Sequence, residues 1–264
     1  MLTIRVDLTM SYRYSILFIA SLIVVVWLSA CQKNESVTPT PVGTVYLHLH
    51  TNLDSSEVDD YGTIYQDGNG HRIYLTLAQL YVSGVKAIKA DGSTVSLDSA
   101  IILKTKEFEQ FRVQQLPAGE YSSVSFLVGL NATTNQANPA SYPATSALSA
   151  QQPSMWFGST NQGYMFVNVQ GGVDTTKAQN APLAQFQPFC YQLGTADELK
   201  TITMPTEKFT ISPGQGQEVH ITIDYAKLLQ GLNLKTENKA TPFSNLTVAN
   251  KVTNNIPAMF RYEE

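Results

Sequence analysis

The sequence has 264 residues, of which 43% are apolar and only 14% are charged. This apolar content is enough for a sizeable core, and the charged fraction is too low for a disordered tail. The formal net charge is −4, so the chain lacks the basic composition that is typical of nucleic-acid-binding proteins. Composition therefore predicts one domain of ordinary to large size, or two small ones, and no nucleic-acid partner.

The N-terminal segment has the parts of a bacterial export signal. Arg13 precedes an apolar run over residues 16–28, and the run is closed by the quartet Leu-Ser-Ala-Cys at 28–31. It is shorter than the ~20 residues that a membrane-spanning helix needs. The quartet resembles a lipobox, whose cysteine is lipidated and becomes the first residue of the mature chain. We therefore predict a lipoprotein signal peptide over 1–30, lipidation of Cys31 and a membrane-anchored location in the cell envelope (periplasm or outer membrane); the alternative is an uncleaved N-terminal anchor.

The segment that follows predicts a tether and then a β-rich domain. Residues 31–42 are polar and contain proline, which is typical of a flexible tether. From residue 43 to residue 264 the dominant pattern is an alternation of apolar and polar residues in short runs separated by Gly, Asn, Asp and Pro turns. This pattern predicts an all-β domain, an antiparallel β-sandwich with a short C-terminal helix around 246–254.

The first predicted strand, over 44–51, carries a histidine pair. Its apolar residues alternate with His48 and His50, so both imidazoles project from the same face about 7 Å apart. Two imidazoles in this arrangement can bind a metal such as copper or zinc. The alternative is the ordinary polar outer face of a first strand. Of the other histidines, His220 is predicted to be a structural or solvated side chain and His71 an exposed one.

A segment without charged residues, from 121 to 173, occupies the middle of the chain. It contains a long loop flanked by aromatic residues, and we expect it to pack on the sandwich. Trp156 lies in this segment, and three interpretations stay open: a packing anchor, a platform for ligand stacking, or a site of oxidative modification. Cys190, between aromatic neighbours, is predicted to fill the core; copper binding by its thiol is the alternative.

No common catalytic signature is present. The sequence lacks the G-x-S-x-G, H-E-x-x-H and P-loop motifs, and no pair of nucleophile and base stands out. We therefore predict that the protein is not an enzyme.

Several segments, in this order, carry a resemblance to a known family. They are His-Leu-His at 48–50, LAQLYVSG at 77–84, PAGEY at 117–121, MWFG at 155–158 and FCYQLG at 189–194. Their order and spacing resemble those of the copper-binding MbnP-like family, exported β-sandwich proteins that include lipoproteins of the Bacteroidetes type. The resemblance covers about residues 43 to 260.

The resemblance implies a function for the site residues. In that family a tryptophan can be oxidised to kynurenine by a partner di-haem enzyme and then helps histidine to bind copper. For this chain it implies a copper cofactor held by His48 and His50, with Trp156 as a candidate modified ligand and a di-haem oxidase as a candidate partner.

A different function stays open beside copper binding. The protein could be a non-metal binding module for a glycan or an outer-membrane protein partner, with residues 121–173 as the contact surface and Trp156 and Tyr164 stacking on sugar rings. The position of Trp156, near the histidines, on an open surface or in the core, discriminates between these functions.

Overall fold

The described part of the chain, residues 39–97 and 100–263 of this computed structural model, folds mainly as β-strands. The predicted signal peptide (1–30), Cys31 and most of the predicted tether (31–42) lie outside the described residues. The strands are β1 Val42–Leu53, β2 Ser56–Glu57, β3 Tyr65–Gln66, β4 Arg72–Lys89, β5 Thr94–Leu97, β6 Ile102–Lys104, β7 Gln110–Pro117, β8 Gly119–Val128, β9 Val167–Val173, β10 Gln187–Leu193, β11 Lys200–Thr203, β12 Phe209–Ile211, β13 Gly216–Asp224, β14 Lys239–Ala240 and β15 Phe260–Tyr262. The α-helices are α1 Ala132–Asn135, α2 Tyr225–Leu228 and α3 Leu246–Asn255.

The first sheet contains five strands in the order β15-β13-β1-β2, with β7 also paired to β1. Strand β1 runs parallel to β13, in a register that places His48 opposite His220. On its other edge β1 runs antiparallel to β7, where His48 is opposite Gln110. The histidine pair therefore lies in the interior of this sheet rather than at its edge.

The second sheet contains ten strands. Its path is β11-β8-β4-β9-β10-β14, and β3, β5, β6 and β12 pair along β4 or β8. Strand β4 is the longest strand, with 18 residues, and it pairs with both β8 and β9. It forms the centre of this sheet.

The main core lies between the two sheets. Strand β1 alternates strictly between buried and partly buried residues, and its buried positions include Leu47 and Leu49. They belong to the same apolar cluster as Leu75 and Leu80 of β4. Because successive side chains of a strand point to opposite faces, His48 and His50 lie on the outer face of the first sheet.

A second apolar cluster covers the outer face of the second sheet. Leu80 and Val82 of β4 point into the main core, so Tyr81 between them points to the outer face of the sheet. Tyr81 is nevertheless fully buried. The Tyr81 hydroxyl donates a hydrogen bond to the carbonyl of Ala147, in the loop of the charge-free segment. This segment therefore packs on the sandwich, as the sequence predicts.

The structure confirms the predicted all-β fold and the short C-terminal helix, now α3. It corrects one feature, because the pairs β1–β13 and β10–β14 are parallel and the sheets are therefore mixed rather than antiparallel. The physical reason is that β13 joins β1 after a long crossover through the second sheet, a connection that allows parallel pairing. Among the described residues, no helix has both the length and the apolar character needed to cross a lipid bilayer.

Candidate metal centre

The parallel pairing of β1 and β13 brings three histidines together. His48 and His220 are cross-strand neighbours in the register of these strands, and His50 follows two residues along β1. All three side chains lie on the outer face, because Leu47, Leu49 and the residues beside His220 on β13 are buried in the main core. We call His48, His50 and His220 the histidine cluster.

The three imidazoles of the histidine cluster are close to one another. The ring centroids of His48 and His50 are 4.3 Å apart, which is less than the ~7 Å spacing of alternate residues in a strand. The centroids of His48 and His220 are 4.8 Å apart. One nitrogen atom from each of the three rings lies within 4.8 Å of the others. Imidazole nitrogens bind Zn²⁺ at ~2.0–2.1 Å, so the side chains would have to move closer together to bind a single ion.

Glutamate side chains lie between the imidazoles. Glu109, just before β7, places its Oε2 atom 3.6 Å from Nε2 of His48 and 3.7 Å from Nδ1 of His50. Glu218 of β13 places its Oε2 atom 3.9 Å from Nδ1 of His48 and 3.3 Å from Nε2 of His220. Each of these carboxylates therefore faces two of the three histidines.

Glu263, just after β15, completes this arrangement. Its Oε2 atom lies 3.2 Å from Nε2 of His50 and 3.0 Å from Nδ1 of His220. A fourth carboxylate, that of Glu57 in β2, lies 3.4 Å from Nδ1 of His50. Every ring nitrogen of the histidine cluster consequently faces a carboxylate oxygen, and the three glutamates at 109, 218 and 263 alternate with the three histidines.

Two ring nitrogens in this group have no hydrogen-bond partner. Nδ1 of His48 and Nε2 of His50 are inaccessible to solvent and, within the described part of the chain, take part in no hydrogen bond. A buried polar atom without a partner costs about 1–3 kcal/mol. Neutral imidazole nitrogens donate a lone pair to a metal ion, so an ion bound by both nitrogens fits the chemistry of these two atoms.

A buried lysine supports the carboxylate of Glu109. Lys104, the last residue of β6, is 0% exposed, and its Nζ donates hydrogen bonds to the carbonyls of Thr105 and Phe108 at 2.7 and 3.0 Å. The same Nζ lies 3.9 Å from Oε1 of Glu109. Burial lowers the pKa of Lys104 to about 8, although the charge of Glu109 opposes this shift. The ammonium group therefore holds the loop between β6 and β7 and lies beside the carboxylate of Glu109, which faces His48 and His50.

Glu218 is also held in place. Gln110 donates a hydrogen bond from its Nε2 to Oε1 of Glu218, so Oε2 is left to face His48 and His220. Gln110 is opposite His48 in the pairing of β7 with β1. The same strand pairing therefore positions both Gln110, which holds Glu218, and His48.

The structure brings the two predicted ligands, His48 and His50, to one point and adds His220. His220 is partly exposed and its Nδ1 shares a hydrogen bond with Oε2 of Glu263, which agrees with the predicted structural or solvated side chain, and it also lies beside the predicted pair. The sequence signal was present, since His220 alternates with buried Val219 and Ile221 on its strand. Only the pairing of β13 with β1 turns that outward position into part of a site, and alternation within one strand carries no information about its neighbour.

Trp156, the candidate modified ligand, is not brought to the histidine cluster. Its ring packs edge-on against Tyr164, with ring centroids 4.8 Å apart, in the second apolar cluster. That cluster covers the outer face of the second sheet, whereas the histidine cluster lies on the outer face of the first sheet. The main core separates them, because inward side chains from both sheets fill the space between.

Two other sequence expectations are also settled by position. Tyr164 is 1% exposed and donates a hydrogen bond to the carbonyl of Leu148, so its ring offers no platform for a sugar. Cys190 is only half-buried and lies between the buried residues Phe189 and Tyr191, so it points away from the main core that it was expected to fill. Because β10 belongs to the second sheet, Cys190 lies in a different sheet from the histidine cluster.

Comparisons with known proteins agree with the fold. A family model named MbnP matches residues 42–247. Among solved structures, MbnP from Methylosinus trichosporium superposes with a TM-score of 0.50 at 15% sequence identity, covering 72% of this chain and 78% of that chain. A comparison with curated proteins gives no match.

Proposed function

Because this chain belongs to the MbnP family, and because three histidines converge on one face of its first sheet, we propose that it is a copper-binding protein of the cell envelope. His48, His50 and His220 are the proposed nitrogen ligands. The proposal extends the histidine pair that the sequence predicts by one residue from a neighbouring strand.

The observation that carries this proposal is the pair of buried nitrogens without a hydrogen-bond partner, Nδ1 of His48 and Nε2 of His50. A polar outer face of an ordinary strand would expose such atoms to water. Their burial beside His220 and two glutamates is typical of a ligand set. Copper suits this set because imidazole nitrogens bind it well, and Cu²⁺ stands at the top of the affinity order for divalent first-row metals.

The chemistry proposed for this site is binding rather than turnover. When bound, the ion would be held by the histidine cluster with Glu218 and Glu263 beside it. In the proposal, Cys31 carries lipid that anchors the protein to a membrane, and the cell envelope is where it meets copper. A di-haem oxidase partner also stays a prediction, and it concerns Trp156 rather than the histidine cluster.

A copper titration tests the proposal. The wild-type protein is expected to bind one copper ion per chain, and the triple variant His48→Ala/His50→Ala/His220→Ala is expected to lose that binding because it loses all three imidazoles. His71→Ala is the matched control, since His71 is held by Asp67 at 3.0 Å, outside the cluster. Unchanged affinity in the triple variant would remove the proposed ligands.

A further inference from the structure

We propose that the protein has a second binding site, a cleft on the side of the sandwich that takes a short neutral oligosaccharide. The cleft lies where the chain crosses from β6 of the second sheet to β7 of the first sheet. It is lined by these two strands, by the turn at 105–108 between them and by residues 145–147 and 152 of the charge-free segment. We call it the side cleft. Its volume of about 670 Å³ lies within the ~300–1,000 Å³ that is typical of small-ligand sites.

An exposed aromatic ring lines the side cleft. Phe108 is 67% exposed, the highest value among the exposed large apolar side chains in the described part of the chain. A single exposed apolar side chain is ordinary on a protein surface. Phe108 is unusual because of the turn that carries it.

That turn is fixed to the body of the protein at several points. The buried Nζ of Lys104 donates hydrogen bonds to the carbonyls of Thr105 and Phe108. On the other side, Nζ of Lys106 donates a hydrogen bond to the carbonyl of Asp59 at 2.6 Å. The backbone therefore presents the ring of Phe108 in a fixed position, and a preorganised contact loses less entropy when a ligand binds.

Side chains with planar polar groups line the same cleft. Gln79 of β4 and Gln152 contribute amides, and Arg112 of β7 contributes a guanidinium group. Oε1 of Gln79 accepts a hydrogen bond from the hydroxyl of Ser154 at 2.7 Å, which holds this amide in place. Arg112 is exposed and carries N–H groups that only donate hydrogen bonds, whereas each amide both donates and accepts them.

The charge of the side cleft favours a neutral ligand. Among its described lining residues, only Glu107 and Arg112 are charged, and their charges cancel. The wall formed by residues 145–147 and 152 belongs to the charge-free segment. A nucleic acid or a highly charged peptide therefore finds no field of the opposite sign here.

A short oligosaccharide matches this combination of groups. One face of a pyranose ring carries C–H groups that stack on an aromatic ring, and its hydroxyls both donate and accept hydrogen bonds. Phe108 provides the ring, and the amides of Gln79 and Gln152 provide donors and acceptors of matching kind. These residues differ from Trp156 and Tyr164, which the sequence suggests for sugar stacking.

The test is a set of calorimetric titrations of the full chain with cellohexaose, maltohexaose, xylohexaose, mannohexaose and chitohexaose. The variant Phe108→Ala removes the exposed ring, and Gln152→Ala removes an amide from the opposite part of the lining. Phe243→Ala is the matched control, because Phe243 is 50% exposed and packs against Phe157, outside the side cleft.

The wild-type protein is expected to bind at least one of these hexasaccharides. Phe108→Ala is expected to lose about tenfold or more in affinity, because the stacking contact is removed, and Gln152→Ala is expected to weaken binding further when combined with it. Phe243→Ala is expected to bind as the wild-type protein does. Thermal unfolding checks that the variants are folded, and Arg112→Ala, at another exposed lining position, replaces Gln152→Ala if that variant is unstable.

Three outcomes would overturn this inference: no binding of any of the five hexasaccharides, wild-type affinity in the combined variant, or an equal loss in Phe243→Ala. The inference is independent of copper binding. The triple variant His48→Ala/His50→Ala/His220→Ala is expected to bind the hexasaccharide unchanged, and Phe108→Ala is expected to bind copper unchanged. Failure of one proposal is therefore distinguishable from failure of the other.

Discussion

Lys104 is the most unusual single residue near the histidine cluster, because it is 0% exposed and, within the part of the chain that the structure describes, its ammonium group is the cation that lies beside the carboxylate of Glu109, at 3.9 Å. Burial disfavours the charged form of a lysine, and here the nearby carboxylate of Glu109 offsets that effect only in part. The pKa of Lys104 is therefore lowered from 10.5 to about 8. At Lys104 the folded chain therefore binds fewer protons than the unfolded chain between about pH 8 and pH 10.5, whereas burial raises the pKa of the Cys190 thiol and of the Tyr191 hydroxyl and acts in the opposite direction.

This difference predicts that the contribution of Lys104 to the free energy of unfolding of the metal-free protein increases as the pH rises from 8 to 9.5. The increase should reach up to about 1.4 kcal/mol per pH unit, because Lys104 stays protonated in the unfolded chain in this range. Urea unfolding of the wild-type protein and of Lys104→Met at a series of pH values, with a chelator present, measures it as the difference between the two. Lys208→Met, at an exposed position, should keep the wild-type pH dependence. An identical pH dependence in Lys104→Met and the wild-type protein would contradict the role of Lys104.

At the scale of single elements, the strand that carries the histidine pair was predictable and its neighbours were not. Alternation over 44–51 predicts both the strand and the outward direction of His48 and His50, and β1 has that pattern in the structure. The parallel register with β13 depends on contacts between residues about 170 positions apart, which no local pattern encodes. The same reason explains why His220, Glu109 and Glu263 could not be assigned to the site from the sequence.

The inward face of β1 leads to a prediction about the free energy of unfolding. Leu49 lies between His48 and His50 in the chain and is 1% exposed. Leu49→Ala should lower the free energy of unfolding by about 2–5 kcal/mol, because it removes buried methyl groups and leaves a cavity. Chemical denaturation of the metal-free protein measures this loss.

The control for this prediction is Leu246→Ala, at the start of α3, where the side chain is 58% exposed. It should change the free energy of unfolding by less than about 0.5 kcal/mol. A loss of similar size in both variants would mean that the main core does not hold β1 in the way described.

For the molecule as a whole, the two outer faces of the sandwich carry different features. The outer face of the first sheet holds the histidine cluster with its glutamates, and the outer face of the second sheet is covered by the second apolar cluster and Trp156. The family resemblance predicts the fold from the order of segments, but it also implies a histidine and tryptophan site that this arrangement does not assemble. The position of Trp156 within a family motif does not determine which face of which sheet its side chain covers.

This separation predicts that Trp156 does not contribute to copper affinity. Trp156→Phe keeps an aromatic ring against Tyr164 and should bind copper as the wild-type protein does in the same titration. His220→Ala, in contrast, should weaken binding because it removes one of the three imidazoles. A loss of tenfold or more in Trp156→Phe would place that residue in the site after all.

Crystals of the protein soaked with copper, measured on both sides of the copper absorption edge, test the central claim most directly. We predict one anomalous difference peak per chain, within bonding distance of a nitrogen atom of each of His48, His50 and His220. A peak beside Trp156 or Cys190, or the absence of a peak at the three histidines after soaking at a saturating copper concentration, would contradict the account.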